Sequence, residues 1–231
     1  MKQATWNNET IIERVRQVGT PEPLVEHMLQ VNEVAMALVT SAVAAGLVVD
    51  RDVVRMACLT HDVGIPQLTQ EFVVIPEYGA DFKVEVDHLI HIVHSARIVK
   101  QLGFPEAVEL CVLRHALGPS NQEFAELGLP PLEKEALPDN DTEEAMAFAD
   151  FLVWMARTGN NPWNDVQEPV KASWPFLNVM YQHYVGHGIP QEHPFVQRYA
   201  ALTKRWLPLA RPEFLPAPLQ ARMMMGQKAR S

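Results

Sequence analysis

The stretch Ala57-Cys58-Leu59-Thr60-His61-Asp62-Val63-Gly64 decides how the rest of the chain is read. It closes an apolar helical run, Val53–Leu59, and sets an imidazole beside a carboxylate with Gly64 just beyond. A helix end aims a side chain well, and a glycine lets the backbone turn away behind it. The pair alone says little. Nine His and nine Asp in 231 residues give roughly 0.35 adjacent pairs by chance. The weight of the pair comes from its partners elsewhere in the sequence.

Upstream, His27, Val31, Val34, Ala35, Leu38 and Ala42 share one face of a helix predicted from Glu22 to about Ala45. Downstream, residues 63–86 lack a helical period and hold Gly64, Pro66, Pro76 and Gly79, which predicts a loop with the character of a lid. Helices are predicted from Asp87 to Leu102, stopping at Gly103, and from Pro105 to about Ala116. Residues 117–140 read as loop with a short helix near Gln122–Leu127. Asp141 and Glu144 have capping-box-like spacing ahead of a helix reaching about Met155. Gly159, Asn160, Asn161 and Pro162 mark a boundary. Residues 1–160, with an N-terminal helix, therefore form one unit, and residues 161–231 a helical extension read as a packing or dimerisation element. In the extension, 173–187 and 193–206 are predicted helices, and the proline-bearing end after Leu209 an extended tail. No segment alternates apolar and polar residues convincingly, so the expected class is all-α.

Apolar residues make up 48% of the chain and are spread along it. No run approaches the roughly 18 apolar residues of a membrane span, and the N-terminus lacks the apolar block of a secretory signal. The chain reads as soluble and cytoplasmic, without a membrane partner. A formal net charge of −9 argues against nucleic acid as a partner, which calls for a basic stripe. It does not argue against a small anion, because a bound metal dominates its local field. Cys58 and Cys111 sit in apolar helical contexts without a CxxC partner, and read as buried thiols.

The other chemistry-bearing residues also lie on apolar faces. His27 shares its face with Val31, Val34 and Leu38; His115 shares one with Val108 and Cys111; Asp150 stands within Met146–Met155. Singly, each histidine is more often a hydrogen-bonded core residue than a ligand. Together they bring several imidazoles and two carboxylates inward from separate helices, a set poorly satisfied without a metal. Such donors suit iron, manganese, nickel or zinc as divalent ions.

The ordered set resembles the HD superfamily of metal-dependent phosphohydrolases, an all-α helical bundle with the pattern H…HD…D and two further histidines in dinuclear branches. HMLQVNEVAMAL (27–38), ACLTHDVG (57–64), HIVHSARIVKQLGFPEAVELCVLRH (91–115) and LGLPPLEKEALPDNDTEEAMAFADFLV (127–153) each resemble a family segment. The likeness covers about residues 20–158. It implies His27, His61, Asp62 and Asp150 as metal ligands. The family places its middle histidine four residues before a small residue, here Ser95, which selects His91, with His94 as the alternative. Periodicity sets His91 over Ser95, Val99 and Leu102, and His94 on a more polar strip. His88 reads as an outer or exposed residue. His115 completes a six-ligand set for two ions bridged by Asp62, the catalytic aspartate.

Two divalent ions on these residues leave a local charge of about +2, which favours a phosphate-bearing substrate and lowers the pKa of a water between them. The resemblance thus implies hydrolysis of a small phosphomonoester or nucleotide. The family's lysine three residues after the aspartate is replaced by Ile65; Arg97, Arg114 and Lys83 are the candidate replacements for binding substrate. The chain reads ALGPSN after His115, without the glycine-tyrosine-proline motif of cyclic-dinucleotide phosphodiesterases. Two alternatives accompany the hydrolase. One is a mixed-valence diiron oxygenase, although Gln17 and Thr20 stand where the phosphonate branch has Tyr and Glu. The other is a non-catalytic module that binds a nucleotide or a protein. His183, His187 and His193 read as surface residues.

Overall fold

The computed structural model describes residues 6–67, 72–74, 83–85, 88–115, 120–126, 131–185 and 188–228; at 67, 72–74, 83–85, 88–90, 126, 180–185 and 226–228 the backbone alone is described. Its helices are α1 (Asn8–Gln17), α2 (Glu22–Ala44), α3 (Arg51–Cys58), α4 (His88–Gln101), α5 (Glu106–Leu113), α6 (Asn121–Glu126), α7 (Asp141–Arg157), α8 (Pro169–Val185), α9 (Pro194–Trp206) and α10 (Ala217–Lys228). The class is all-α, as expected. Between α3 and α4 lie a 3-10 turn at Ile65–Gln67 and two three-residue strands, β1 (Phe72–Val74) and β2 (Lys83–Glu85). The strands pair antiparallel, with Phe72 opposite Glu85. The sequence predicts a loop over 63–86; a Phe-Val-Val run favours a strand but is too short to display a period of two.

The helix ends follow their caps. Asp50 accepts from the amides of Asp52 and Val53 to start α3, and Asn7 accepts from Thr10 to start α1. At α7 the capping side chain is Asn140, which accepts from Thr142 and Glu143, and not Asp141. Asp141 pairs instead with Arg205 of α9. Gly46 and Gly103, at φ of 88° and 81°, turn the chain out of α2 and α4.

α7 is the axis of the molecule. All residues from Ala145 to Met155 are buried, the pattern of a helix enclosed on every side. α2, α3 and α5 pack against it, as do α9 and α10. α2 offers Leu24, Met28, Val31, Ala35, Leu38 and Ala42, at helical spacing, to the same core.

The chain turns at Thr158–Asn161, and the core does not change there. Leu177, Val196, Trp206, Leu219 and Met223 join the same buried cluster as Ile11 and Leu38. Arg205 and the indole of Trp206 both reach Glu144 of α7. The expected extended tail is a 3-10 turn at Pro212–Phe214 followed by α10. Pro216 precedes the helix and Pro218 lies in its first turn, where proline costs no hydrogen bond. Leu219 and Met223, one turn apart, bury that helix. No described helix is long and apolar enough to cross a membrane.

Candidate metal centre

Three helices and two helix ends bring the six expected residues together. His27 comes from the first turns of α2, His91 from the start of α4 and Asp150 from the middle of α7. His61 and Asp62 lie in the turn after α3, and His115 follows α5. His27 and His61 are fully buried, and His91, Asp62, His115 and Asp150 nearly so.

One device aims two of the imidazoles. The last carbonyls of a helix lack intrahelical partners. His61 Nδ1 donates to the Cys58 carbonyl at 2.8 Å, and His115 Nδ1 donates to the Val112 carbonyl at 2.6 Å. Each bond reaches three residues back, into the closing turn of α3 or α5. A carbonyl only accepts, so Nδ1 carries the proton and the neutral ring presents its Nε2 lone pair. Both Nε2 atoms face the cluster.

Asp62 is its centre. Asp62 Oδ2 lies 3.5 Å from His27 Nε2 and 3.3 Å from His61 Nε2. Asp62 Oδ1 lies 3.3 Å from His91 Nε2 and 3.7 Å from His115 Nε2. On the first side, Asp150 Oδ1 is 3.1 Å from His27 Nε2 and 3.7 Å from His61 Nε2. On the second side, the Nε2 atoms of His91 and His115 are 2.9 Å apart. Around an ion with bonds of about 2.1 Å, neighbouring donors stand roughly 3.0–3.4 Å from one another. The observed separations scatter about that range.

The buried oxygens argue the same way. Asp62 Oδ2 and Asp150 Oδ1 are sealed from solvent, yet neither accepts a hydrogen bond. The facing imidazole nitrogens lie at ion-pair distance. A buried carboxylate oxygen so placed is costly unless a cation meets it. Imidazole with carboxylate suits borderline and hard divalent ions. The groups His27, His61 and Asp150, and His61, Asp62 and His115, each have the spacing to hold one.

The electrostatics keep most donors ready. Burial, with His61 and His91 nearby, pushes His115 down to about 3, so its ring is neutral at physiological pH. Burial likewise lowers His27, against the pull of Asp150. Burial disfavours charge on His61 too, but Asp62 and Asp150 outweigh it and raise the ring to about 9. Burial would raise both carboxyl groups; His61 and His91 hold Asp62 well below the usual range, and His27 and His61 lower Asp150.

Gly64 sets the second side. Its amide donates to Ser95 Oγ at 2.9 Å. A Cβ on Gly64 would come within 2.8 Å of His94 Cβ and closer still to the Ser95 nitrogen. The turn bearing Asp62 is thus pressed onto α4 one turn beyond His91. The cluster contains His91, while His94 is half-buried outside it.

The candidate substrate cations fare differently. Arg114 turns outward, 2.8 Å from both Asp139 and Glu143, and its Nε donates to the Glu135 carbonyl. It lines a surface cavity of about 520 Å³ away from the histidines. Arg97 is exposed on α4. The side chain of Lys83 lies outside the described residues, as do those of His88 and His183 and all of His187. Ile65 is buried.

A family model of the HD domain matches residues 24–151, which span every one of these donors. This chain belongs to the HD domain family. An uncharacterized protein of Methanocaldococcus jannaschii is 34% identical to this HD protein over 134 residues, 58% of this chain and 68% of that one. The HD domain of the phosphodiesterase PgpH from L. monocytogenes is 14% identical with a TM-score of 0.43, over 86% of this chain and 97% of that one. The same domain in complex with cyclic-di-AMP is 16% identical with a TM-score of 0.44, over 86% and 95%.

Proposed function

We propose that this HD protein is a metal-dependent phosphohydrolase acting on a small phosphomonoester or nucleotide. One observation carries the reading: Asp62 offers one oxygen to the side of His27, His61 and Asp150, and the other to the side of His91 and His115. Asp62 would hold divalent metal with His27, His61 and Asp150 on one side and with His91 and His115 on the other, and iron, manganese, nickel and zinc all suit these residues. Divalent ions bound there polarise a phosphoryl oxygen and lower the pKa of a coordinated water toward neutrality.

The chain's own residues prepare the site for this. The Cys58 and Val112 carbonyls fix the tautomers of His61 and His115. Burial removes water from around the carboxylates, which strengthens their hold on any cation. The thiols of Cys58 and Cys111, both buried, are pushed above their usual pKa and so are poor nucleophiles.

The test is metal analysis of anaerobically purified protein followed by a screen of phosphoesters. Asp62→Ala is expected to lower metal affinity and turnover together, by more than roughly 100-fold, since losing even an outer partner of a metal ligand costs 10- to 100-fold. A fully metallated wild-type protein inactive on a broad phosphoester panel would overturn the reading.

A further inference from the structure

The family's usual lysine is replaced by buried Ile65, Arg114 is held by two carboxylates, and Arg97 is exposed elsewhere. Another cation stands closer to the cluster. Arg157 lies seven residues after Asp150 on α7. At 3.6 residues per turn, that is about two turns along the same face. The side chain folds back: its guanidinium lies 5.5 Å over the Trp154 ring, and Nη2 donates to Gln30 Oε1 at 2.8 Å. Trp154 itself packs against His27, with ring centroids 4.9 Å apart. Gln30 is three residues beyond His27 on α2, about 4.5 Å of helix rise. Two stripes, His27–Gln30 and Asp150–Trp154–Arg157, therefore set the guanidinium one helical turn from the donors.

We propose that Arg157, braced by Gln30 and Trp154, is the residue that binds the substrate's phosphate group. The inference rests on the hydrolase reading for the nature of the ligand. A guanidinium is a planar fork that matches phosphate oxygens, and its stacking on an indole keeps that fork oriented. The surrounding charges need an anion. Arg157 is half-buried within the field of Glu26, Asp150 and Asp62, and Arg222 of α10 adds a like charge nearby. Once divalent ions occupy the cluster they outweigh the two carboxylates, and both arginines then face excess positive charge. A phosphate between ions and guanidinium relieves that repulsion. Arg157 and Arg222 both lie beyond residue 151, where the family match ends. The phosphate grip is thus built from this chain's own later segment.

Calorimetric titration of inorganic phosphate into the full-length, manganese-loaded protein tests the proposal. Arg157→Gln is expected to weaken phosphate binding roughly 10- to 100-fold, the loss of a charged hydrogen bond, with metal content and melting temperature unchanged. Arg157→Lys should recover part of the loss, and Arg211→Gln, at an exposed arginine, should change nothing. Gln30→Leu, which removes the brace and keeps the charge, should weaken binding by a smaller factor and serves if Arg157→Gln does not fold. Equal phosphate affinity in wild type, Arg157→Gln and Gln30→Leu at full metal loading would overturn the proposal, as would absence of phosphate binding by the wild type. Arg157-dependent phosphate binding without turnover of any phosphoester would remove the hydrolase reading and leave this inference standing. Turnover with Arg157-independent phosphate affinity would do the reverse.

Discussion

At the scale of single residues, His27, His61 and His115 within the cluster do not pull together. His27 and His115 are depressed, and His61 is raised to about 9. An unfolded imidazole titrates near about 6.5. As pH falls below that value, the unfolded chain binds protons at His27 and His115 that the folded, metal-free chain refuses, so stability falls. As pH rises toward 9, the folded chain retains a proton at His61 that the unfolded chain has lost, so stability falls again. The cluster's contribution in metal-free protein is therefore expected to peak near neutrality, as read by thermal melts across pH 5–9.5. Replacing His61 with Gln should remove the alkaline limb; an unchanged limb would contradict the assignment. The thiols give a second residue-level expectation. Cys58 and Cys111 should resist a thiol reagent at pH 8 until the protein unfolds. Much of the site was legible at this scale, because inward-facing His and Asp on apolar faces are costly without a shared purpose. His91 stands in the cluster and Ser95 one turn on, where a small residue admits Gly64. Arg157 was not legible, since a cation in a helix's last turn is ordinary on dipole grounds alone.

At the scale of elements, the contact between the Asp62 turn and α4 is the joint that sets His91 against Asp62. Gly64→Ala would drive a methyl group into the backbone at His94 and Ser95. Overpacking of that kind costs about 1–3 kcal/mol. The expected outcome is a lower melting temperature together with weaker retention of metal on the His91–His115 side, measured as stoichiometry after dialysis. A variant with wild-type melting and full metal would show that the joint yields. Helix positions were well marked in the sequence by apolar period and by Gly46, Gly103 and Gly159. Helix caps were less so: Asp141 and Asn140 are equally good capping residues, and only Arg205, remote in sequence, explains why Asp141 is otherwise engaged.

For the whole molecule, the turn near residue 160 divides the sequence and not the core. Phe151 meets Phe176 at 5.5 Å and Tyr199 at 4.6 Å between ring centroids. A fragment of residues 1–160 would bare that side of α7. It is expected to lose cooperative melting and near-ultraviolet circular dichroism while keeping helical content. A fragment that melts cooperatively and binds a full complement of metal would disprove this. Prolines made the last segment read as extended, because proline placement inside a first turn is visible only once the helix is known. The packing of α7 has one more consequence. Asp150 and Phe151 are chain neighbours whose side chains leave the helix about 100° apart, one toward the donors and one toward the outer helices. A roll of α7 by roughly ten degrees would swing the Asp150 carboxylate by about 1 Å, a misplacement that can cost 100-fold in rate. The outer helices thus act as a set-screw on Asp150, and apolar substitutions around Phe176 and Tyr199 give inheritance a way to retune the cluster without altering His27, His61, Asp62, His91, His115 or Asp150.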